Sequence, residues 1–250
     1  MTVPAIQTLS EVVESKVPSN NEPKTSSISN WFSTQWRKIL AEFISTLMLV
    51  LLGCLSCVPA GEERTAVITA LSFGMVVMFN IQIFGHLSGA YMNPAVTLAS
   101  VIWGSTSVSL GIAYTIVQCV GAILGYGILD ALTSMELSEG SICVTKPFYG
   151  QSVIQSLFIE VALTSILMLV NCAVWDPVNK DKQDSIPIKF GLTILGLSLI
   201  GGPFTGASMN PARTLGPAVW TNDWTEHWIY WVGPVLGTVI TVIPYKYIFL

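Results

Sequence analysis

The sequence predicts an all-α membrane protein with six spanning helices and two half-helices that enter the bilayer and turn back, arranged as an inverted tandem repeat. Three observations predict it. Of 250 residues, 52% are hydrophobic and only 10% charged, with a mean hydropathy of +0.63; that is too little charge for a soluble surface of this length. Apolar runs close to the ~20 residues that cross a hydrocarbon core recur six times. Finally, HLSGAYMNPAVTL at 86–98 returns as PFTGASMNPARTL at 203–215.

Taken in order, residues 1–34 are polar, rich in Ser and Pro, and lack the apolar core of a signal peptide, which predicts a disordered N-terminal tail. Lys24-Thr25-Ser26-Ser27 in this tail is a candidate phosphorylation site. Residues 35–250 are expected to form the membrane domain, in repeats of about 35–132 and 150–250, with spans expected at about 36–58, 65–85, 108–132, 152–175, 186–202 and 226–249. Between the second and third spans, and between the fifth and sixth, Asn93-Pro94-Ala95 and Asn210-Pro211-Ala212 each start a helix. Asn suits the N-cap, and Pro suits the first helical position because its missing N–H would be unpaired there anyway. The following apolar runs close at Trp103 and Trp220, giving lengths of roughly 16 Å at 1.5 Å per residue, half of a core. Irregular backbone at that depth survives only inside protein or beside a wet cavity, so both segments are re-entrant.

The halves match in detail. Phe73-Gly74 pairs with Phe190-Gly191, Gly89 with Gly206, Asn93 with Asn210 and Trp103 with Trp220, all 117 residues apart, and Glu42 pairs with Glu160 at 118. Three spans per half is an odd number, so the halves insert in opposite orientations and their Asn-Pro-Ala starts meet near the midplane.

Charge sets the topology and excludes several function classes. Lys16, Lys24, Arg37, Lys38, Lys180, Lys182, Lys189 and Lys246 fall on one side, Arg64 and Lys146 on the other, which predicts cytoplasmic termini; for a multi-pass protein of this kind the plasma membrane is the expected location. A net charge of -4 gives no reason to expect a nucleic-acid partner. Cys54, Cys57, Cys119 and Cys172 lie in apolar runs, and Cys143 stands in a polar loop without an obvious partner, so no disulfide framework is expected. Two histidines, His86 and His227, are a poor basis for a metal site, and no nucleophile and base stand together; neither an enzyme nor a cofactor is expected.

Two helix N-termini meeting at the midplane repel cations and present two Asn amides to the same small space. Glu42 and Glu160, buried in apolar spans, are costly and need a purpose. A proton relay is one; support of the re-entrant loops through their backbone N–H groups is the other. His86 is either a structural ring or a pH sensor.

On the doubled Gly-Ala-x-Met-Asn-Pro-Ala motif, the chain resembles the aquaporin, or major intrinsic protein, family over about residues 36–250. The resemblance implies an hourglass fold, one pore per subunit, a homotetramer, and conduction of water or small uncharged solutes without protons or ions. It assigns the pore-lining carbonyls to Gly85, His86, Gly206, Ala207 and Ser208, and the narrowest constriction to Phe73, Ser198, Ala207 and Arg213. Water-selective members carry His where this chain has Ser198, so a wider filter is expected, suited to glycerol and urea. Thr214, Ala218 and Tyr230-Trp231 are instead those of the water-channel branch. A water-type scaffold with a small residue at the filter resembles the insect entomoglyceroporins. Two alternatives stay open: a strictly water-selective pore, and a junction or adhesion protein with a residual pore.

Overall fold

The computed structural model describes residues 27–59, 65–134, 137 and 140–250. The chain divides into one unit ending at Gln35 and a second from Trp36 to Leu250. The described residues form eight α-helices: α1 (Ser27–Leu55), α2 (Ala66–Ser88), α3 (Pro94–Trp103), α4 (Val108–Leu132), α5 (Val153–Trp175), α6 (Ile186–Thr205), α7 (Pro211–Thr221) and α8 (Ile229–Ile248), with a 3-10 turn at Pro177–Asn179. Five of the long helices, α1, α2, α4, α5 and α6, are long and apolar enough to cross a membrane. The sixth, α8, has 20 residues, but Tyr230, Trp231, Tyr245, Lys246, Tyr247 and two prolines dilute its hydropathy. The half-helices α3 and α7 have 10 and 11 residues.

One boundary differs from the sequence expectation. Polarity predicts a tail to residue 34, yet α1 begins at Ser27. Ser33 and Thr34 donate their hydroxyls to the carbonyls of Asn30 and Trp31 at 2.9 and 2.8 Å, so these polar side chains are absorbed by the helix. Hydropathy marks where lipid begins, and a helix can start earlier. The rest of the expected tail, with Lys24, Thr25 and Ser26, lies outside the described residues.

Helix starts follow local chemistry. Thr65, Ser107 and Ser152 accept from the backbone N–H groups of Ile68, Leu110 and Gln155, and Ser152 with Gln155 closes a reciprocal capping box. Helices α2 and α6 both end on a left-handed glycine, Gly89 (φ 94°) and Gly206 (φ 80°), which frees the chain to turn into each half-helix.

Within the second unit, α2 packs on α6, α5 on α8 and α6, and α4 on α7 and α3. Lipid supplies no hydrophobic drive between helices, so association depends on close backbone approach at small residues. The repeat-related Gly74 and Gly191 face each other: a Cβ on Gly74 would lie 2.5 Å from the Gly191 carbonyl oxygen. Gly121 and Gly125 let α4 pass over the carbonyls of Phe43 and Leu47 on α1, at 2.6 and 2.5 Å from where a Cβ would sit.

The cysteine expectation is corrected. Cys54 and Cys143 form a disulfide, with Cα atoms 5.4 Å apart. Cys54 reads as core because its neighbours are apolar, but it sits in the last turn of α1, where the 133–152 connection folds over that end. Cys57, Cys119 and Cys172 are free.

Gly121→Ala is expected to cost about 1–3 kcal/mol through overpacking, lowering the thermal midpoint of the detergent-solubilised protein by several degrees. Gly196→Ala, whose Cβ would meet nothing within 4 Å, should leave it unchanged or raise it. Equal midpoints for the two variants would contradict backbone-close packing of α4 on α1.

Candidate functional site

Each half-helix is reached by a few residues of non-helical chain, Gly89–Met92 and Gly206–Met209. Both segments take the same improbable path: Ala90 and Met92 have φ of 49° and 53°, and Ala207 and Met209 have 46° and 53°. Left-handed backbone at non-glycine residues costs about 1–3 kcal/mol each and persists only where the surroundings over-determine it. Here the surroundings are carboxylates. Glu42 accepts from the Ser88 hydroxyl (2.6 Å), Tyr91 N (2.9 Å), Met92 N (2.8 Å) and Gln118 Nε2 (2.8 Å). Glu160 accepts from the Thr205 hydroxyl (2.7 Å), Ser208 N (3.0 Å) and Met209 N (2.8 Å). Both are fully buried. This geometry is that of loop support, and Ser88 and Thr205 stand at the same repeat separation as the motifs.

The two starts then lock to each other. Asn93 Oδ1 accepts from Ala95 N at 2.8 Å, and Asn210 Oδ1 from Ala212 N and Arg213 N at 3.0 and 3.2 Å. Asn93 Nδ2 donates to the Met209 carbonyl and Asn210 Nδ2 to the Met92 carbonyl, both at 2.8 Å. Each amide therefore caps its own helix and clamps the opposite loop, leaving one N–H of its two.

A cavity of about 1120 Å³ runs past this junction. It is lined by Asn93 and Asn210, by all four predicted constriction residues, Phe73, Ser198, Ala207 and Arg213, and by Gly85, His86, Gly206 and Ser208. Gly85 and His86 lie within α2, however, and the Gly85 carbonyl accepts the Gly89 N–H at 3.0 Å. The non-helical chain entering α3 is Gly89–Met92, of which all four residues line the cavity. The carbonyl assignment for the first half is corrected accordingly: applying the 117-residue separation to 206–208 gives 89–91.

Arg213 is almost fully buried, at 8% exposure. Its guanidinium lies 4.8 Å from the Phe73 ring centroid, and Nη1 donates to the Cys143 carbonyl at 2.6 Å. Gly53 seats the Phe73 ring, whose Cε1 lies 2.4 Å from where a Gly53 Cβ would be. Sequence reasoning did not find Gly53, Cys143 or Thr145. Gly53 reads as one more packing glycine, and a carbonyl anchor leaves no side-chain signature.

The water-channel-type residues have structural roles. Thr214 exchanges hydroxyl hydrogen bonds with Thr145 (2.8 Å) and Ser208. Tyr230 donates to the Thr205 carbonyl at 2.8 Å and Trp231 Nε1 to His227 Nε2 at 3.0 Å. His227 thus accepts as a neutral ring, and its burial pushes its pKa down. On the 133–152 connection, Ser141 and Lys146 reach Asp223 at 2.8 and 3.5 Å. The Thr225 hydroxyl, with these partners, holds that carboxyl well below its usual range, at about 2. Its contribution is complete above pH 3.8 and is lost as pH falls toward 2. Among the described residues no His, Cys, Asp or Glu cluster fits a metal ion.

Long apolar helices, paired half-helices and the cavity beside them define a membrane channel as the class of protein. The major intrinsic protein family model matches residues 28–245, and the chain belongs to that family. Mouse aquaporin-4 is 38% identical over 224 residues, 88% of this chain and 69% of that protein. The lens fiber major intrinsic protein of Lithobates pipiens is 35% identical over 214 residues, 85% and 81% of the two chains. The aquaglyceroporin of Plasmodium falciparum has a solved structure that superposes with a TM-score of 0.78 at 25% identity, covering 86% of this chain and 97% of that one.

Glu160→Gln places an amide NH2 against N–H and O–H donors, so at least one buried donor loses its acceptor. The expected loss is about 1–3 kcal/mol, seen as a lower thermal midpoint in detergent, and Glu42→Gln should behave alike. Unchanged midpoints together with altered proton flux would instead favour the proton-relay reading.

Proposed function

We propose that this chain forms a passive pore for water and small uncharged solutes, glycerol and urea among them, that excludes ions and protons. The observation that carries the reading is the constriction: Ser198 and Ala207 are the small members of a ring whose other members are the Phe73 face and the Arg213 guanidinium, all lining one cavity. An apolar wall beside fixed donors suits a solute with carbon on one side and hydroxyls on the other. Phe204 is half exposed and does not line the cavity, and Tyr91 is held between Tyr114 and Trp175, 6.1 Å from each.

Exclusion follows from the junction. Helix N-termini and Arg213 disfavour cations. The remaining N–H of each Asn amide donates to a passing water oxygen, and a water so held does not relay a proton to its neighbour.

Termini in the cytoplasm and the Arg213 mouth outside fit the lysine and arginine distribution. The Cys54–Cys143 disulfide beside Arg213 supports the same orientation, because disulfides persist on the oxidising side of a membrane. Apolar side chains exposed on α1 and α2, Leu40, Leu52, Leu71, Met75 and Phe79 among them, are suited to lipid or to neighbouring subunits of a plasma-membrane homotetramer.

A strictly water-selective pore is the second reading, favoured by the water-type Thr214, Tyr230 and Trp231 and their hydrogen bonds. Stopped-flow light scattering on proteoliposomes separates the two. Under a glycerol gradient the protein should re-swell vesicles rapidly, and Ser198→His should cut glycerol entry at least tenfold while keeping water flux within about twofold. Gly53→Ala, which pushes the Phe73 ring toward the lumen, should also lower glycerol flux more than water flux. Fast water flux with no glycerol entry in the unmodified protein overturns the solute reading in favour of the second.

A further inference from the structure

We propose that the Cys54–Cys143 bridge positions Arg213, so that the redox state of one disulfide sets the geometry of the constriction. The inference rests on the reading of Arg213 as a wall of the pore. Its first support is contact: the buried guanidinium donates to the backbone carbonyl of Cys143 itself, at 2.6 Å, and its other close neighbour at the constriction is the Phe73 ring face. The second support is backbone conformation. Cys143 sits at φ 64° and Ser141 at φ 45°, left-handed conformations that non-glycine residues keep only where their surroundings hold them. The carbonyl direction that Arg213 needs is therefore one that the local chain does not prefer by itself.

Among the described residues, the bridge is the one covalent tie on this loop. The other ties include hydrogen bonds, Tyr126 to the Ile142 carbonyl, Thr145 to Thr214, Ser141 to Asp223 and the Phe148 N–H to the Phe204 carbonyl, and the Lys146–Asp223 ion pair. Each of these is individually worth little against solvent, whereas the sulfur–sulfur bond does not exchange with water. At the other end, Cys54 is fully buried in the last turn of α1, beside the Gly53 that seats Phe73. One helical turn thus fixes the ring directly and the guanidinium through the bridge.

Cys143 is partly exposed and lines the cavity, the side from which a small dithiol would approach the bridge. Opening takes two electrons and two protons: a dithiol such as dithiothreitol is oxidised to its cyclic disulfide while Cys54 and Cys143 become thiols. Freed of the bridge, Cys143 relaxes toward negative φ, its carbonyl turns away, and Arg213 swings from the wall into the lumen.

The test uses oxidised, reconstituted protein and follows osmotic water permeability and its temperature dependence before and after dithiothreitol, with thiols counted by alkylation and mass spectrometry. Reduction should lower water permeability at least twofold and steepen its temperature dependence, and re-oxidation with diamide should restore both. The double variant C54S/C143S should be steep from the outset and insensitive to dithiothreitol. A merely structural bridge would change the number of working channels without changing the temperature dependence. Two new thiols with an unaltered temperature dependence overturn the proposal, as does a double variant that behaves like the oxidised protein. Because reduction is applied to folded protein, failure of the double variant to fold leaves the first arm decisive. Absence of glycerol entry in the oxidised protein bears on the solute reading alone, since this readout is water.

Discussion

A chain that reaches the middle of a bilayer without being helical must pair every N–H and C=O where lipid offers no partner. In this fold the constraint is met by two buried carboxylates. Glu42 and Glu160 take the backbone N–H groups of Tyr91, Met92, Ser208 and Met209, the groups that the left-handed turns at 90, 92, 207 and 209 leave without helical acceptors. Everything at the centre depends on those turns. They aim Asn93 and Asn210 at each other's loops, and the reciprocal amide–carbonyl bonds then fix the distance between the two half-helices. A charge in a membrane span is expensive, and here it is offset by the four donors on Glu42 and the three on Glu160.

From that junction the proposed exclusion follows without further parts. The Asn oxygens are consumed by capping, so what faces the pathway is donor rather than acceptor. An acceptor there would receive a proton-carrying chain of waters; a donor interrupts it. The same orientation places the positive ends of α3 and α7 at the junction. In the proposed reading, selectivity by charge is a property of backbone direction, while selectivity by size is left to side chains further along, at Phe73, Ser198, Ala207 and Arg213.

Most of this was legible because it is carried by side chains with strong local meaning. Asn-Pro-Ala announces a helix start, the lengths to Trp103 and Trp220 announce a half-span, and the 117-residue separation announces the inverted repeat. The parts that were not legible act through backbone or through space. The Cys143 carbonyl holds Arg213 and has no sequence signature. Gly53 matters because the Phe73 ring lies where its Cβ would be. The Cys54–Cys143 pair was missed because apolar neighbours make Cys54 look like core, while the turn of chain that brings a polar loop over it is decided by tertiary folding. The misplaced Gly85 and His86 carbonyls had a remedy in the sequence: the repeat that aligns Gly206 with Gly89 also gives the correct segment.

The scaffold is two-fold but its lining is not, and topology accounts for the difference. At the 117-residue separation, the constriction Phe73, Ser198, Ala207 and Arg213 has as its counterpart Phe190, Ile81, Ala90 and Val96, which also line the cavity. The second ring is apolar throughout. A buried arginine needs an acceptor to replace water, and Arg213 finds it in Cys143, on the connection between the two halves. There is only one such connection in a tandem pair, so it can serve only one mouth. At position 96 the same repeat carries Val, which needs no such acceptor. The duplication therefore yields two matched sets of positions along the cavity, and the linking loop supplies the carbonyl that lets one of them hold a buried charge.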